Sequence, residues 1–510
     1  MNFGFTQMTD TSLTILAISD LHYTGLARQV AQPTHLHGEL ARIVLNKVFL
    51  RLRHLNIKPD VAVILGDLLE DGTDPNADAD LIALHSELIR SGIPFIVVRG
   101  NHEHTNTRVA ALFDGSTKLH KIGEYGFVVY DDLYAVTHET TRDEQALAET
   151  LNIAKENPGL PLIALQHAPI YPAIDSHYPY RPTNTAEIID SFHKAGVFLS
   201  LSGHYHKGQK VRTSNNVFYH TVPALCEAPF PFSIIRLKNQ KVEVEEHALA
   251  LHYPNLTDVH CHTEYAYCAT TVDTAAAITL SKNLGVTKHC VLEHSFQLYF
   301  DKRYAMSGKW QSDPKRVEDV WATPERSRMA NYRRFAEKLR SPFVRIGLEV
   351  DLYDNGKMLL APEDAEEDIW DILIGAIHFI HDFVPGNTTQ KEAEEMFIRD
   401  VEQLVQLPIK VLAHPLRFFT WSNLQTPKHL YPVVADLLAD SGVAAEINFH
   451  NYQTDPEFIR CCVEKNVKIA LASDAHALQE VGEFAPHVEV LKQAGITPKM
   501  YPDVLFAFDG

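Results

Sequence analysis

Short apolar runs recur in the first half of the chain, and each is followed by a polar side chain of a metal-binding type. Runs of four to six apolar residues predict buried β-strands. Between the first two runs, at 38–55, apolar residues recur at helical spacing and predict a helix that covers the sheet. The runs and the residues that follow them are 15–19 (Asp20, His22), 61–65 (Asp67), 95–98 (Asn101, His102), 162–166 (His167) and 197–202 (His204, His206).

The alternation of strand and helix predicts parallel strands, whose carboxyl ends meet at one edge of a sheet. We therefore expect the polar residues to lie together. Further along, 127–136 is predicted as paired strands, 143–156 as a helix and 217–247 as short alternating strands. The first half is thus expected to be an α/β structure with a mixed sheet in two layers.

The second half of the chain repeats the pattern of strand, ligand and helix. Helices are predicted at 272–284, 324–340, 388–405, 427–440 and 456–465. Repeated βα units with ligands at the strand ends indicate a barrel whose site lies at the carboxyl ends of the strands. The residues at those ends are His260, His262, Glu293, His294, Glu349, Asp351, His378, His414, Asp474 and His476.

Length and composition narrow the class of protein. A chain of 510 residues exceeds one ordinary core and predicts about two to four domains. The net charge of −19 favours small anionic substrates held by metal ions over long nucleic acids, although acidity also serves solubility in general. Six cysteines without a CxxC pair, no signal peptide and no apolar run near about 20 residues predict a cytoplasmic protein without membrane contact.

The predicted ligands of the first half are carboxylates, an amide oxygen and imidazoles. Such a mixed set suits Mn, Fe or Zn, whereas a structural zinc site would use thiolates. Seven ligands match two divalent ions, and two ions roughly 3.5–4 Å apart can activate water and neutralise a phosphoryl group. The seven are Asp20, His22, Asp67, Asn101, His167, His204 and His206.

In their order, the motifs D-x-H, G-D, G-N-H-E, H and G-H-x-H resemble those of the calcineurin-like metallophosphoesterases over about residues 12–250. The resemblance implies an αββα sandwich, placed at 1–252, in which Asp67 bridges two ions. It implies that His102 is a general acid or transition-state stabiliser and that Glu103 supports the site. Tyr205, inside the last motif, either stacks on a substrate or fills the surface. By the same resemblance, one ion would be held by Asp20, His22 and His206, and the other by Asn101, His167 and His204.

The second half, with H-x-H, E-H, a lone Glu, a lone His, H-P and S-D-x-H, resembles the PHP (polymerase and histidinol phosphatase) family over about residues 255–480. The resemblance implies a distorted (β/α)7 barrel, placed at 253–510, that holds two or three divalent ions (Zn, Mn or Fe) and hydrolyses phosphoesters. Glu349 would be shared between two ions and take part in catalysis. One ion would be held by His260, His262, Glu349 and Asp474, the next by Glu349, His378 and His414, and a third with help from His294 and His476.

Three features of the second half leave alternatives open. Cys268 stands where many PHP proteins have His or Asp, and it is either a thiolate ligand or a small buried residue. The segment 295–321 is predicted as a long polar loop that either selects substrate or is a surface insertion. Arg417 either clamps a phosphate, is solvated, or pairs with a nearby acid.

Together these features predict a bifunctional metal-dependent phosphoric ester hydrolase. The first half would be a dimetal phosphodiesterase or phosphatase and the second a PHP phosphoesterase, both acting on small esters such as nucleotide-like or cyclic phosphates. One alternative is a nuclease or exonuclease that processes nucleic acid, which the acidic charge disfavours. The other is a single active phosphoesterase whose PHP domain is regulatory.

Overall fold

The computed structural model describes residues 12–25, 35–103, 107–113, 118–135, 137, 139–239, 241–323, 327–354, 356–366 and 368–508. The chain divides into two compact units, Met1–Ala250 and Leu251–Gly510. Among the described residues, no helix combines the length and the apolar character needed to cross a membrane.

Two β-sheets form the centre of the first unit. The strands are β1 (Ser12–Ile18), β2 (Val61–Leu65), β3 (Phe95–Val98), β4 (Leu119–Ile122), β5 (Tyr125–Val129), β6 (Leu133–Tyr134), β7 (Thr140–Thr141), β8 (Leu162–Leu165), β9 (Val197–Ser202), β10 (Gln209–Ser214), β11 (Val217–Thr221), β12 (Pro231–Lys238) and β13 (Lys241–Ala248). The first sheet has the order β13-β12-β1-β2-β3, and the second has the order β10-β11-β9-β8-β5-β4.

Both sheets are mixed, as the sequence predicts. Strands β1, β2 and β3 are parallel, and β12 and β13 extend that sheet as antiparallel neighbours. In the second sheet β5, β8, β9 and β11 are parallel, with antiparallel strands at both edges. One apolar cluster contains Ile15 and Val63 of the first sheet together with Phe127 and Leu201 of the second. The sheets therefore pack face to face, and the parallel strands of both deliver their carboxyl ends to the ligand residues.

Helices cover the outer faces of the sandwich. Ile153 of α4 and Phe192 of α5 pack with Val128 and Tyr219 of the second sheet. The Arg51 guanidinium of α1 donates to the carbonyl oxygens of residues 248 and 249, at the end of β13 in the first sheet. The helices are α1 (Ala41–His54, after a 3-10 turn Gly38–Leu40), α2 (Ala77–Ser91), α3 (Thr107–Leu112), α4 (Glu144–Glu156) and α5 (Thr185–Ala195).

The second unit contains a closed barrel of seven parallel strands, which agrees with the predicted barrel architecture. The barrel order is β14-β15-β16-β19-β20-β21-β22, and small residues such as Ala444, Ala470 and Ala472 belong to an apolar cluster built from its strands. The strands are β14 (Thr257–Cys261), β15 (Lys288–Val291), β16 (Val344–Val350), β19 (Ile372–Gly375), β20 (Val411–Leu412), β21 (Ala444–Asn448) and β22 (Ile469–Ala472), with a side ribbon of β17 (Leu352–Tyr353) and β18 (Lys357–Met358).

Helices alternate with the barrel strands close to the predicted positions. The predicted helix at 388–405 is found at Gln390–Leu404, where Thr389 and Glu392 form a capping box that fixes its start. The helices are α6 (Thr274–Asn283), α7 (Ser295–Tyr299), α8 (Lys302–Ala305), α9 (Pro314–Trp321), α10 (Arg328–Leu339), α11 (Gln390–Leu404), α12 (Arg417–Trp421), α13 (Tyr431–Ser441), α14 (Pro456–Glu464), α15 (Ala485–Gln493) and α16 (Tyr501–Val504), with 3-10 turns at Lys309–Ser312, Pro362–Asp364, Lys428–Leu430 and Pro498–Met500.

The segment 295–321 is not the loop that the sequence predicts. It folds into α7, α8 and α9 with a 3-10 turn between them. Asp301 and Asp313 cap the starts of α8 and α9 by accepting backbone N–H bonds. Trp310 is fully buried and stacks on Phe296 at 5.4 Å between ring centroids. Burial of this aromatic pair stabilises a compact helical segment in a stretch whose composition is mostly polar.

Candidate metal centres

Strand ends in the first unit bring the seven predicted ligands together. Asp20 and His22 follow β1, Asp67 follows β2, and the others follow β3, β8 and β9. In each of two groups the ligand atoms lie within 4.8 Å of one another: Asp20, His22 and His206 in the first group, and Asp67, His167 and His204 in the second. Oδ1 of Asn101 lies 3.1 Å from Nε2 of His167 and so joins the second group. These groups have the composition that the resemblance assigns to the two ions.

Asp67 lies between the two groups. Its Oδ2 is 3.1 Å from Nε2 of His167 and 3.7 Å from Nε2 of His22. Burial acts to raise the pKa of Asp67, but the surrounding imidazoles, His167 first, outweigh it and hold that pKa well below the usual value. An ionised carboxylate in this position can serve as a ligand shared by two cations.

Two carboxylates that the sequence analysis did not single out orient the imidazoles of the first group. Oε2 of Glu70 accepts from Nδ1 of His22 at 2.8 Å, and Oε1 of Glu227 accepts from Nδ1 of His206 at 2.6 Å. Because Nδ1 carries the hydrogen in both rings, each Nε2 keeps a lone pair. Those Nε2 atoms lie 3.9 Å and 3.6 Å from Oδ1 of Asp20.

The side chains of the first unit fit divalent cations. Within the described residues, Oδ1 of Asp20 and Nε2 of His204 are buried and have no hydrogen-bond partner. Leaving such an atom unpaired costs about 1–3 kcal/mol. Burial, followed by the charge of His167, lowers the pKa of His204 to about 3, so its imidazole is neutral. Carboxylate oxygens, an amide oxygen and imidazole nitrogens that converge at a buried site are the donors expected around Mn, Fe or Zn.

The backbone at the strand ends adopts a conformation that non-glycine residues rarely use. Asp20, His22, Asp67 and His204 have φ angles of 55°, 47°, 48° and 65°. Such left-handed conformations cost of order 1–3 kcal/mol each at non-glycine positions and cluster at functional sites. This signal is independent of the side-chain chemistry and points to the same residues.

Three glycines let the ligands approach the neighbouring backbone. A Cβ atom at Gly66 would lie 2.4 Å from Nδ1 of His167, and one at Gly100 would lie 2.1 Å from Oδ1 of Asp67. A Cβ atom at Gly203 would lie 1.7 Å from Oγ of Ser19. The glycines of the G-D, G-N-H and G-H motifs are therefore required by close packing around the ligands.

His102 and Glu103 differ in what they contact. The His102 side chain is 31% exposed, and its Nε2 is 4.0 Å from Oδ2 of Asp67. Burial acts to lower the pKa of His102, but the charge of Asp67, the hydrogen bond to the carbonyl oxygen of Glu70 and the charges of Glu103 and Glu70 together raise that pKa. Glu103 is buried, accepts from the N–H groups of Leu69 and Gly100, and has its pKa raised to about 7, chiefly by burial. Glu103 thus fixes the backbone at Leu69 and Gly100, whereas the side chain of His102 is partly exposed beside the ligands.

Glu349 lies at the centre of the ligand set in the second unit. Its Oε1 is 2.9 Å from Nε2 of His414 and 3.4 Å from Nε2 of His378. Its Oε2 is 3.4 Å from Nε2 of His260 and also contacts His294. Glu349 is fully buried, and although burial raises its pKa, the imidazoles, His378 first, hold that pKa well below the usual value.

A second carboxylate, Asp474, faces His260 of β14 and His262, which follows that strand. Its Oδ1 is 3.2 Å from Nε2 of His262 and 3.5 Å from Nε2 of His260. A further group within 4.8 Å consists of His262, His294 and His476. The structure thus brings His260, His262, His294, Glu349, His378, His414, Asp474 and His476 to one end of the barrel, around Glu349 and Asp474.

The second unit also fits a cation. Nδ1 of His260 is 2.8 Å from Oε1 of Glu446, and its Nε2 is 3.1 Å from Nε2 of His262. When the ring is neutral, the hydrogen on Nδ1 is donated to Glu446 and Nε2 has a lone pair for a cation. Within the described part of the chain, the buried Oδ1 of Asp474 has no hydrogen-bond partner. His414 and Asp474 also have left-handed φ angles, of 31° and 46°.

Cys268 lies beside this ligand set. Its Sγ is 3.5 Å from Nε2 of His294 and receives a hydrogen bond from Nε2 of Gln297 at 3.2 Å. Burial raises the pKa of Cys268 to about 12. The side chain is half-buried, so both alternatives, ligand or small packing residue, have a contact that supports them.

Arg417 is not solvated. It is buried, its Nη1 donates to Oδ2 of Asp474 at 2.6 Å, and its Nη2 is 3.3 Å from Nε2 of His378.

Asp351, at 3.1 Å from Nδ1 of His378, supports that imidazole in the same way as Glu446 supports His260. A signal for Glu446 exists in the sequence, since it is the one charged residue within the buried strand β21.

Comparisons with known proteins give one family model, which falls in the first unit, and several relatives of low identity. Residues 13–208 match the family model described as calcineurin-like phosphoesterase. The chain is 26% identical to the human serine/threonine-protein phosphatase CPPED1 over 179 residues, which are 31% of this chain and 56% of that protein, so it spans little more than half of that relative. It is 25% identical to a protein of Deinococcus radiodurans named "Probable histidinol-phosphatase", over 47% of this chain and 94% of that one.

Among solved structures, a dimetal phosphatase from Danio rerio is similar at 15% identity, with a TM-score of 0.38, over 46% of this chain and 98% of that one. The family match spans β1 to β9, the strands whose ends carry the ligands of the first unit. The N-terminal half of the chain is therefore a calcineurin-like phosphoesterase domain.

Proposed function

We propose that the chain is a bifunctional metal-dependent phosphoric ester hydrolase, with domains at 1–252 and 253–510. The first domain would be a dimetal phosphodiesterase or phosphatase, and the second a PHP phosphoesterase. Substrates would be small phosphoesters, in keeping with the net charge of −19. The free cysteines of the described chain fit a reducing compartment, and we place the protein in the cytoplasm.

The observation that carries the proposal is the position of Asp67 between two groups of ligands. When bound, two divalent cations there would lower the pKa of a water and neutralise charge on the phosphoryl oxygens. Asp20 and Asp67 supply the negative charge, and the carboxylates of Glu70 and Glu227 fix the ring orientation of His22 and His206. Five of the seven ligands line a cavity of about 450 Å³ that a small ester can enter: His22, Asp67, Asn101, His204 and His206.

His102 is the residue best placed to act on the leaving group. Its side chain lines the same cavity and is partly exposed, while its backbone N–H donates to Oδ1 of Asp67 at 3.1 Å. Its Nδ1 donates to the carbonyl oxygen of Glu70, and its Nε2 is the ring nitrogen near the ligands, 4.0 Å from Oδ2 of Asp67. A protonated Nε2 can donate to the departing oxygen of the ester as the bond to phosphorus breaks.

The PHP assignment of the second domain is supported by three observations. The motifs occur in the family order, the ligands lie at the carboxyl ends of strands in a closed parallel barrel, and a protein named "Probable histidinol-phosphatase" is similar to the chain. Glu349 faces imidazoles from four different segments of this barrel. Zn, Mn or Fe would suit these imidazole and carboxylate donors.

The proposal is tested by assigning each reaction to a site. Bis-p-nitrophenyl phosphate and p-nitrophenyl phosphate are assayed with the metal-loaded chain and with Asp67→Asn and Glu349→Gln. Each variant should lose at least about a hundredfold in the activity of its own site, more than the loss expected for a residue behind a ligand. Asp190→Asn, a surface residue paired with Lys194, is the matched control.

Equal losses in both variants on both substrates would contradict the division between sites. Loss in Asp67→Asn alone, with no metal bound by Glu349 and its neighbours, would leave a single active phosphoesterase with a regulatory second domain.

A further inference from the structure

Three tyrosines stand at the mouth of the first-unit centre. Tyr178 and Tyr180 come from the segment between β8 and α5, and Tyr205 lies between the ligands His204 and His206. The ring centroids of Tyr178 and Tyr180 are 4.6 Å apart, and those of Tyr180 and Tyr205 are 5.1 Å apart. The ring planes are inclined by 52° and 74° to one another, so the three rings form one contiguous aromatic cluster, which we call the tyrosine wall.

The tyrosine wall adjoins the ligands directly. The ring of His204 lies 5.3 Å from that of Tyr180 and 5.6 Å from that of Tyr178, centroid to centroid. All three tyrosines line the cavity of about 450 Å³ that also contains His102 and Asp67. A phosphate held at the ligands would thus have an aromatic surface beside it.

The tyrosines are half-buried, so part of each ring faces the cavity. Coordination of a metal ion does not require them, because the carboxylate, amide and imidazole groups already provide the ligands. Grouped aromatic rings beside a polar site bind planar apolar groups by stacking, while their hydroxyls remain available for hydrogen bonds. A nucleobase has both a π-face and polar edges, and therefore matches such a surface better than a sugar or an alkyl group.

We propose that Tyr178, Tyr180 and Tyr205 form a base-binding subsite, so that the first unit acts on nucleoside phosphates. This inference rests on the proposed function of that unit, since the phosphate must bind at the metal ligands. It resolves the alternatives for Tyr205 in favour of substrate contact. Tyr178 and Tyr180 belong to no motif that could be recognised in the sequence.

The test measures binding with phosphonate analogues, in which a carbon–phosphorus bond prevents hydrolysis. Mn²⁺-loaded full chain carrying Glu349→Gln is titrated calorimetrically with the 5′-phosphonates of adenosine and of ribose, and with phenylphosphonate. We expect the adenosine compound to bind at least about tenfold more tightly than the ribose compound, the effect of one stacked base. Tyr180→Leu should reduce this ratio about tenfold without changing the affinity for the ribose compound.

Tyr171→Leu is the matched control, because Tyr171 belongs to the same segment but packs on Tyr219 away from the wall. It should leave the ratio unchanged. Equal affinities for the adenosine and ribose compounds, or equal losses for both in Tyr180→Leu, would overturn the base-binding subsite and leave the proposed hydrolase intact. Phenylphosphonate binding as tightly as the adenosine compound would overturn the nucleobase assignment. Failure of every phosphonate to bind would overturn the proposed function itself.

Discussion

At the scale of single residues, the candidate centres consist of ligands and of the carboxylates behind them. Glu227 is one of these supporting carboxylates. It contacts Nδ1 of the His206 ring, so that Nε2 of the same ring is left for a cation. Such a partner keeps the imidazole in one tautomer and raises its basicity. The two ligand groups of the first unit differ here, because His167 is held by the neutral carbonyl of Leu65 at 2.6 Å.

Glu227→Gln should therefore weaken one metal position more than the other. We expect the affinity for one Mn²⁺ per chain to fall by about 10- to 100-fold, because an amide polarises the imidazole less than a carboxylate does. Metal content measured by mass spectrometry, after dialysis against graded free Mn²⁺, gives the affinities of the positions in both units, and comparison with the unsubstituted chain identifies the one position that changes. Glu187→Gln, on the exposed surface of α5, should change neither. An unchanged affinity in Glu227→Gln would show that the contact with His206 has no part in metal binding.

At the scale of elements, the two sheets of the first unit are joined by a buried histidine. His220 on β11 donates through Nδ1 to the carbonyl of Gln209 at 3.0 Å, and its Nε2 accepts from Oγ of Ser233 on β12 at 2.9 Å. Strand β11 belongs to the second sheet and β12 to the first. Burial lowers the pKa of His220 to about 4, so the neutral ring makes both bonds.

This histidine should make the sandwich less stable in mild acid. The unfolded imidazole titrates near 6.5 and the folded one near 4, so the unfolded chain binds more protons between these values and stability falls as the pH falls. The loss from pH 7 to pH 5 should be about 2 kcal/mol larger in the natural chain than in His220→Gln. Hydrogen exchange of the amides in Val217–Thr221 measures it. An equal loss in both proteins would mean that His220 does not titrate on unfolding.

The sequence predicts elements best where an apolar run ends in a polar residue, because burial and chemistry then coincide. Asp67 and Glu349 are such positions. Glu227 could not be predicted from the sequence, because it lies 21 residues from its partner His206 in the chain and belongs to a turn with no periodic pattern. The segment 295–321 was predicted wrongly because its polar composition outweighed the capping residues Asp301 and Asp313 and the anchor Trp310, which are the signals for short helices.

At the scale of the whole molecule, the chain carries two ligand sets in two compact units. All four tryptophans of the sequence lie after residue 300, in the second unit. The ring of Trp421 is 6.3 Å from that of His378, and the guanidinium of Arg417 lies 4.4 Å from the centre of the Trp421 ring. The part of the tryptophan fluorescence that comes from Trp421 is therefore a local reporter of the ligand set around Glu349.

Paramagnetic Mn²⁺ should quench this fluorescence when it binds near His378. Glu349→Gln should shift the midpoint of quenching to at least about tenfold higher Mn²⁺, because it removes the carboxylate that faces four imidazoles. Asp67→Asn should leave the midpoint unchanged while it lowers the metal content of the chain. A shift of the midpoint in Asp67→Asn would contradict independent binding at the two ligand sets.

The glycines of the first unit have a consequence for ion selectivity. Gly66, Gly100 and Gly203 leave no room for a methyl group beside His167, Asp67 and Ser19, so the packing behind the ligands depends on main chain and not on rotamers that can move aside. Ca²⁺ needs oxygen distances of about 2.3–2.6 Å and more donors than smaller divalent ions do. Its entry would force the strands apart against the apolar packing between the sheets. We therefore expect a centre that rejects large cations through stiffness, even though its carboxylates would attract them.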